Sequence, residues 1–411
     1  MTRARKMYVV LALLAGLVTW GAGVGQSSAQ EHHGDHGDHG GTTTTAPPTT
    51  RPPGSTTTTR PPSSTTTTRP PTSTTTPPTT TPPGPGEQRT KIRYGPYTIP
   101  GSTNEGGTDH GHSHTGNMFT LNIQKPCSNC YITGIQADLV YADGRRAGYS
   151  TDAQLHHMVL FNRDTGRSDA TCANSILGVL GQRFFASGDE RTPAQLPNGF
   201  GYKISASSQW NMIWDLAGIS EEDQQVFFEL TYDFAPASTP GITDVEPVWL
   251  DINQCGTSMY SAPAGQSERT YTWTVNRPGR LIGIGGHLHD GGTHLSIVND
   301  STGRTICDSR ASYGGSPLYI DHHGKQHISA MSSCVGTASQ PLDTLTNGQR
   351  ITIHSFYDLP QAQDDVMGIS VGYIARGAGG STPPPQSDCP WWWPPCWFSQ
   401  LLQGQPPAGR Q

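Results

Sequence analysis

Two histidines in one short segment are the residues of this sequence best suited to chemistry. His287 and His289 stand two positions apart at the end of the alternating apolar run "GRLIGIGGHLHDGG", residues 279–292. On a β-strand such residues share one face and lie about 6.6 Å apart, so both imidazoles can approach one metal ion at roughly 2.0 Å from each nitrogen. The nearby glycines leave space for that ion. The segment predicts a metal site, with surface or hydrogen-bonded histidines as the alternative.

A second histidine pair and one methionine extend this pattern. His156 and His157 are adjacent in "LHHMVLFN". Adjacent strand residues point to opposite faces, so both can bind one ion only at a bulge or a strand end. Met367 begins the strand-like run "MGISVGYI". A methionine there is ordinarily a core residue, but a thioether beside two imidazoles favours copper, above all Cu(I).

The order of these motifs resembles that of the copper type II, ascorbate-dependent monooxygenases, the family of peptidylglycine α-hydroxylating and dopamine β-monooxygenases. The resemblance covers about residues 117–376 and includes the segments "LPNGFGYKI" and "NGQRITIHSFYD". It implies two β-sandwich domains that each hold one copper across a solvent-filled cleft. It also implies an electron-transfer copper and a catalytic copper, with these ligands: His156 and His157 for the first, and His287, His289 and Met367 for the second.

The sequence departs from that family at two places. The family has a third histidine at its electron-transfer copper, whereas Asp215 falls at that place here, and a carboxylate ligand would favour Cu(II). Peptide-amidating members hold the substrate carboxylate with Arg, Asn and Tyr at positions that are occupied here by Gly285, Ile369 and Val371. A peptidylglycine substrate is therefore not expected.

The resemblance implies an oxidoreductase. We expect a secreted, extracellular copper-dependent monooxygenase that hydroxylates a C–H bond of a small molecule or a peptide. Its cofactor would be one or two copper ions, with ascorbate or a similar compound as reductant. The alternative is a non-enzymatic copper-binding or scavenging protein on the same scaffold, with Asp215 as its main support. A third hypothesis is an adhesion module presented at the cell surface.

Composition divides the 411 residues into a folded middle and two low-complexity ends. A signal-like apolar run precedes a His-rich tract and a Thr/Pro-rich stretch that cannot bury a core. The middle holds short, alternating segments separated by turns. We expect an all-β fold of two consecutive antiparallel β-sandwich, jelly-roll-like domains, with a disordered stalk and tail. The predicted segments are a signal peptide (1–29), a His-rich tract (30–41), a disordered linker (42–90), a first sandwich (91–245), a second sandwich (246–376) and a Pro/Trp-rich tail (377–411).

Eight cysteines in an exported chain predict disulfides. Cys307 with Cys334, and Cys389 with Cys396, are the local pairs that we expect. The Cys-x-x-Cys spacing at residues 127–130 is also that of a redox or zinc pair, but a second such pair and a βαβ pattern are both missing. The other four cysteines can pair in three ways: Cys127, Cys130, Cys172 and Cys255.

Charge and the remaining motifs bear on partners. The formal net charge is −6 and 14% of the residues are charged, so no nucleic-acid partner is expected. No later apolar run is long enough to span a membrane. The tail motif "CPWWWPPCWF" is predicted either to pack on a sandwich or to contact a glycan or the cell surface. The alternating histidines of "HGHSH", residues 110–114, could form a third, loose metal site, but we expect surface or supporting roles for them ahead of ligation. The same holds for five histidines that could lie near the second-domain metal: His294, His322, His323, His327 and His354.

Overall fold

The computed structural model describes residues 83–84, 86–102, 113–164 and 166–376. In this part of the chain nearly all secondary structure is β, with one short α-helix, which confirms the predicted all-β class. The first strand begins at Gln88, so the folded part starts earlier than residue 91. The predicted signal, His-rich tract and tail, with Cys389 and Cys396, lie outside the described residues. No helix of the described residues is long and apolar enough to cross a membrane.

The first half of the described chain holds strands β1 to β10. Helix α1 (Ile176–Leu180) and a 3-10 turn (Tyr149–Thr151) interrupt them. The strands are β1 (Gln88–Ile99), β2 (Ser113–His114), β3 (Met118–Ile123), β4 (Cys130–Val140), β5 (Ala153–Asn162), β6 (Gln182–Ser187), β7 (Ala194–Gln195), β8 (Phe200–Ile204), β9 (Trp210–Gly218) and β10 (Gln224–Pro236).

The second half holds strands β11 to β22 and a second 3-10 turn (Pro317–Tyr319). The strands are β11 (Thr243–Asp251), β12 (Tyr260–Ala262), β13 (Gly265–Thr274), β14 (Gly279–Leu288), β15 (Gly292–Asn299), β16 (Arg304–Tyr313), β17 (Ile328–Met331), β18 (Ser333–Val335), β19 (Asp343–Leu345), β20 (Arg350–Leu359), β21 (Gln363–Val366) and β22 (Gly368–Ala375).

One long sheet runs through both halves. Its strands lie in the order β1-β10-β4-β8-β11-β22-β14-β18, with β7 paired to β4 and β19 paired to β14. The halves join where β8 and β11 pair in parallel, with Thr243 opposite Phe200. Strand β11 is buried along almost all of its length, as expected for a central strand. The predicted boundary at residue 245 falls inside β11, so the division into two domains stays a prediction.

A smaller sheet packs against each half of the long sheet. In the first half it has the order β2-β9-β5-β6, with β3 paired to β9, and in the second half β13-β20-β15-β16-β17. The first interface buries Phe184, Tyr202 and Trp210, and the second buries Leu295 and Ile353. Each such side chain stabilises the fold by about 1.5–3 kcal/mol when it is fully buried. Each half is therefore a two-layer sandwich with its own core.

A third, smaller apolar cluster lies where strands of the two halves face each other. Its members come from β5 and β6 of the first half and, in the second half, from β11, β22 and the residues directly before β12 and β22. We call it the bridging cluster, and it consists of Val159, Ala186, Trp249, Met259, Met367, Ile369 and Val371. This cluster is one place where apolar side chains of the two halves meet; others are Ile282, Tyr373 and Ala375, which pack in the core of the first half.

Three disulfides join the cysteines of the described residues. The predicted Cys307–Cys334 pair is confirmed. The remaining four form Cys127–Cys130 and Cys172–Cys255. The second of these joins residues 83 positions apart and links the segment before α1 to the segment after β11. A cross-link over so long a loop stabilises the folded state by about 4 kcal/mol, mainly through the unfolded chain.

Candidate metal centre

Strand β14 positions the first histidine pair. Its alternation puts Gly283, Gly285 and His287 on one face, and all three line one cavity. A Cβ atom built at Gly283 would meet only the carbonyl oxygen of Cys334, at 4.0 Å. This glycine therefore leaves open space on the face that carries His287. His289 follows the strand directly, and the two imidazole rings lie 5.4 Å apart and nearly perpendicular.

Strand β5 positions the second histidine pair at an irregularity. Its register against β9 shifts between Gln154 and His157, and His157 stands opposite Asp215. Such a bulge redirects side chains, and the rings of His156 and His157 lie 5.0 Å apart. The bulge that two adjacent histidines need in order to face the same site is therefore present.

The two pairs adjoin each other. The rings of His156 and His289 are 4.8 Å apart, because the end of β14 in the long sheet meets β5 of the smaller sheet. We call these four residues the histidine group: His156, His157, His287 and His289. The resemblance implied two coppers on opposite sides of a solvent-filled cleft, whereas here the imidazoles from both halves form one continuous group.

Asp215 lies beside the histidine group. Its Oδ2 atom is 3.0 Å from Nδ1 of His156 and 3.6 Å from Nδ1 of His114, and its Oδ1 atom accepts a hydrogen bond from Thr115. Burial alone would raise the pKa of Asp215, but the neighbouring histidines hold it well below its ordinary value. We call His114, His156 and Asp215 the Asp215 triad. Among the described residues, it is the one set of three His, Cys, Asp or Glu side chains whose potential ligand atoms all lie within 4.8 Å of one another.

Three nitrogen atoms of the histidine group are buried and have no hydrogen-bond partner. They are Nδ1 of His157 and Nε2 of His287 and His289. A buried polar atom left unpaired costs about 1–3 kcal/mol, and native proteins contain few of them. These three nitrogens do not all lie within 4.8 Å of one another, so they do not form one three-nitrogen site. The two on His287 and His289 fit a cation that accepts their lone pairs and takes its further ligands from other groups.

The opposite nitrogen of each of these rings contacts an oxygen that accepts a hydrogen bond. Nδ1 of His287 lies 3.0 Å from Oε1 of Glu190, and Nε2 of His157 lies 2.9 Å from Oδ1 of Asn117. The backbone of Asp365 accepts a hydrogen bond from His289. Each ring therefore carries its hydrogen on the outer nitrogen and directs a lone pair inward, which is the arrangement of metal-ligating histidines.

Electrostatics keep two of these rings neutral. Burial, reinforced by the neighbouring imidazole of His156, lowers the pKa of His157 to about 3. The same causes lower the pKa of His289 well below its ordinary value. At His287 burial also lowers the pKa, but the Glu190 carboxylate outweighs it and the pKa rises. Neutral imidazoles can bind a metal without first losing a proton.

Met367 lies in the wall of the cavity that His157 and His287 also line. It is 3% exposed and belongs to the bridging cluster, so it is also a core residue. Its carbonyl accepts a hydrogen bond from the Tyr357 hydroxyl at 2.6 Å, and the same hydroxyl accepts one from the backbone of His289 at 2.9 Å. Within the described chain, His287 and His289 form no 4.8 Å set with a third His, Cys, Asp or Glu. The thioether of Met367 stays the predicted third ligand.

Sequence reasoning missed three residues of this centre. Glu190 is buried and sits next to an aspartate in "SGDE", Asn117 contacts His157, and His114 belongs to the Asp215 triad although a supporting role was expected for it. The alternating "HGHSH" motif was the available signal for His114, whereas no spacing rule connects Glu190 to β14. Residues 110 and 112 lie outside the described residues.

The other described histidines are occupied elsewhere. His327 lies between Asp290 and Asp321 and stacks on Tyr149 at 3.5 Å. His294 stacks on Phe356 at 4.2 Å. These contacts agree with surface or supporting roles.

Comparison with known proteins gives one family match. Residues 238–376 match the model of the family described as Stress up-regulated Nod 19, SURNod19. The matched part contains His287, His289 and Met367, but not the β5 pair. It therefore covers the second half of the described chain and about half of the histidine group.

Two curated relatives cover more of the chain. It is 28% identical over 309 residues to "Probable copper-dependent oxygenase M1" of Phoma sp. (strain ATCC 20986 / MF5453), spanning 71% of this chain and 74% of that protein. It is 25% identical over 258 residues to "Probable copper-dependent oxygenase clz3" of Cochliobolus lunatus, spanning 59% of this chain and 79% of that protein. The narrower resemblance to the peptidylglycine and dopamine monooxygenases stays a prediction.

Two solved structures show a distant likeness to this chain. The "Structure of PNGF-II in C2 space group" matches with a TM-score of 0.34 and 14% identity, over 72% of this chain and 66% of that one. The "Crystal structure of the major capsid protein P2 from Bacteriophage PM2" matches with a TM-score of 0.29 and 9% identity, over 72% and 100%. At these scores neither likeness informs the function.

Proposed function

We propose that this protein is a copper-dependent oxygenase that hydroxylates a C–H bond of an organic substrate. The carrying observation is the set of three buried, unpartnered imidazole nitrogens on His157, His287 and His289. The similarity to two proteins named as copper-dependent oxygenases supports the choice of metal and of reaction. The balanced reaction is R–H + O₂ + 2 e⁻ + 2 H⁺ → R–OH + H₂O, with ascorbate or a similar compound as the electron donor.

The donor set suits copper. Imidazole nitrogens bind copper well, and a thioether favours Cu(I). His287, His289 and Met367 would hold the ion at the catalytic position, with His157 directed into the same cavity. The Asp215 triad would hold a second ion. Copper bound in this centre would supply the one-electron chemistry that O₂ activation requires.

The protein's own residues hold this centre in shape. Glu190 fixes the ring of His287 through its Nδ1–H, and Asn117 does the same for His157 through Nε2–H. The Tyr357 hydroxyl bonds the backbone at both His289 and Met367 and so fixes the spacing between them. Such supporting contacts orient the ligands before a metal arrives.

We further propose that the protein works outside the cell. Its three disulfides are stable in oxidising compartments, and the sequence begins with a signal-like segment. An exported oxygenase would meet an external reductant, which is consistent with a small diffusible donor such as ascorbate.

A second function is favoured by one observation, the carboxylate of Asp215 beside His156. A carboxylate ligand stabilises Cu(II) relative to Cu(I) and would slow reduction of an ion in the Asp215 triad. A non-enzymatic copper-binding protein on the same scaffold would need no such reduction.

Copper stoichiometry and oxygen uptake test the proposal together. We expect His287→Ala/His289→Ala to lose at least one bound copper per chain and to abolish substrate-dependent O₂ consumption with ascorbate. The matched control is His322→Ala/His323→Ala, which removes an adjacent pair of exposed histidines whose rings lie 4.0 Å apart. Unchanged copper content in the first variant would refute the assignment. Copper loss without any O₂ uptake by the unaltered protein would favour the copper-binding function.

A further inference from the structure

The cavity beside the histidine group is large and mostly apolar. It has a volume of about 520 Å³, within the range of roughly 300–1,000 Å³ that is typical of small-molecule sites. Strands of both halves line it, and its apolar walls include Phe119, Phe185, Ile213, Trp249 and Ile369. His157 and His287 lie in the same wall. A molecule in this space would therefore contact the proposed copper centre.

Glycines keep this space open on the β14 side. Gly283 and Gly285 line the cavity on the same strand face as His287. A Cβ at Gly283 would have no neighbour nearer than 4.0 Å, so a larger residue there would extend into the cavity rather than into packed protein. By contrast, a Cβ at Gly286 would meet Leu295 at 2.7 Å. A Cβ at Gly285, on the same face as Gly283, would meet the hydroxyl oxygen of Ser333 at 2.9 Å. The open space on β14 therefore lies at Gly283.

The charged groups of the cavity wall are already paired. Arg183 is the one lysine or arginine among the described residues that line it. Its guanidinium makes two hydrogen bonds to Asp169, at 2.6 and 3.0 Å, and lies 4.6 Å from the centre of the Trp249 ring. Glu190 is bound to His287. The wall therefore offers no unpaired cation to a carboxylate or phosphate and would disfavour burial of a charged ligand.

From these observations we propose that the cavity binds the substrate, and that the substrate is an uncharged, hydrocarbon-rich small molecule. Its apolar part would lie against Trp249 and Ile369, with one C–H bond directed toward His287 and Met367. The inference rests on the proposed oxygenase function and adds the class of substrate. Any charged group of the molecule would have to remain outside the cavity.

A homologous series of probes tests this class. We would titrate the full-length protein, both metal-free and copper-loaded, with 1-hexanol, 1-octanol and 1-decanol by calorimetry. Burial of each methylene should tighten binding about threefold to fourfold, so Kd should fall roughly tenfold for each added pair. In the metal-free protein, decanoate should bind at least tenfold more weakly than 1-decanol because its carboxylate finds no partner. The decanoate comparison uses the metal-free protein alone, because a carboxylate can ligate bound copper. Affinity that does not depend on chain length, or equal affinity of the metal-free protein for decanoate, would overturn the proposal.

Two substitutions that fill the cavity locate the binding. Gly283→Leu and Ala186→Phe extend into the space from opposite halves of the protein and leave the histidine group intact. Each should raise the Kd for 1-decanol at least tenfold, whereas Gln266→Leu, on an exposed position of β13, should not. Unfolding curves would identify a variant that fails to fold, in which case the other variant and the alkanol series decide. An unchanged Kd for 1-decanol in a folded Gly283→Leu or Ala186→Phe variant would show that the alkanols bind elsewhere and would refute the proposal.

The outcomes separate this inference from the proposed function. Copper binding by His287 and His289 without chain-length-dependent alkanol binding would leave the oxygenase proposal standing and the substrate class wrong. If the protein binds no copper but the two cavity-filling substitutions block alkanol binding, the cavity assignment stands and the oxygenase proposal is wrong.

Discussion

The β14 and β5 pairs both consist of histidines, which commonly bind metals, but the two pairs differ in their surroundings. Both members of the β14 pair keep a buried nitrogen unpartnered, and their outer contacts are Glu190 and a backbone oxygen. In the β5 pair only His157 keeps such a nitrogen, and Nδ1 of His156 lies 3.0 Å from the carboxylate of Asp215. The first pair is arranged for an ion held by neutral ligands, and the second is arranged for an ion that tolerates a carboxylate.

This difference has a consequence for electron flow. Neutral nitrogen and thioether ligands favour the reduced ion, whereas a carboxylate favours the oxidised one. If both positions hold copper, the ion at β14 should be the easier to reduce. The two positions adjoin through His156 and His289, whose rings are 4.8 Å apart, so an electron would have only a short distance to cross between them.

The largest expected effect comes from removing the charge that supports the β14 pair. Glu190→Gln should weaken Cu(I) binding at this pair by about 10–100-fold, as is typical when the hydrogen-bond partner of a ligating histidine is changed. A competition titration with a Cu(I) chelator measures this. The β5 pair should be unaffected, because Glu190 contacts His287 rather than either of its members.

The chain offers a matched control for that substitution. Glu268 also contacts a histidine, since its Oε1 atom lies 2.6 Å from Nδ1 of His354, but this pair lies on the exposed part of β13 and β20. Glu268→Gln should leave Cu(I) affinity unchanged. Equal effects of the two substitutions would show that Glu190 does not act through a metal ligand.

The parts of this centre that could be predicted from sequence are those encoded by local spacing. The i, i+2 rule predicted that His287 and His289 lie together, as their ring separation of 5.4 Å shows, and the flanking glycines indicated the open space that Gly283 provides. Strand alternation and turn residues identified the all-β class. The contact between His156 and His289 depends on how two sheets from distant parts of the chain meet. No local pattern contains that information, and the same holds for Glu190.

A second, smaller effect concerns the carboxylate of the Asp215 triad. Asp215→His should speed the reduction of Cu(II) by ascorbate, because a third imidazole favours Cu(I) more than a carboxylate does. Stopped-flow loss of the Cu(II) signal in the two proteins measures the rate. Asp321→His is the comparison, since Asp321 also contacts a histidine but lies outside the histidine group. If neither the reduction rate nor the Cu(I) content changes in Asp215→His, then Asp215 is not a ligand, and a carboxylate does not distinguish the β5 position from the β14 position.

The smallest expected effect concerns Met367, where ligand and core roles make different predictions. Substitution by isoleucine nearly conserves volume and should lower the free energy of unfolding by only about 1 kcal/mol, because the bridging cluster can still be filled.

If the thioether is a ligand, X-ray absorption of the Cu(I) protein should show a sulfur neighbour that disappears in Met367→Ile. Met259→Ile is the control, because Met259 packs in the same cluster without lining the cavity with His287. A sulfur signal that persists in Met367→Ile and disappears in Met259→Ile would show that Met259, and not Met367, supplies the thioether ligand. If the unaltered protein shows no sulfur signal, Met367 is a core residue, and the β14 position would have nitrogen and oxygen ligands alone. The preference for Cu(I) that distinguishes it from the β5 position would then depend only on its neutral imidazoles.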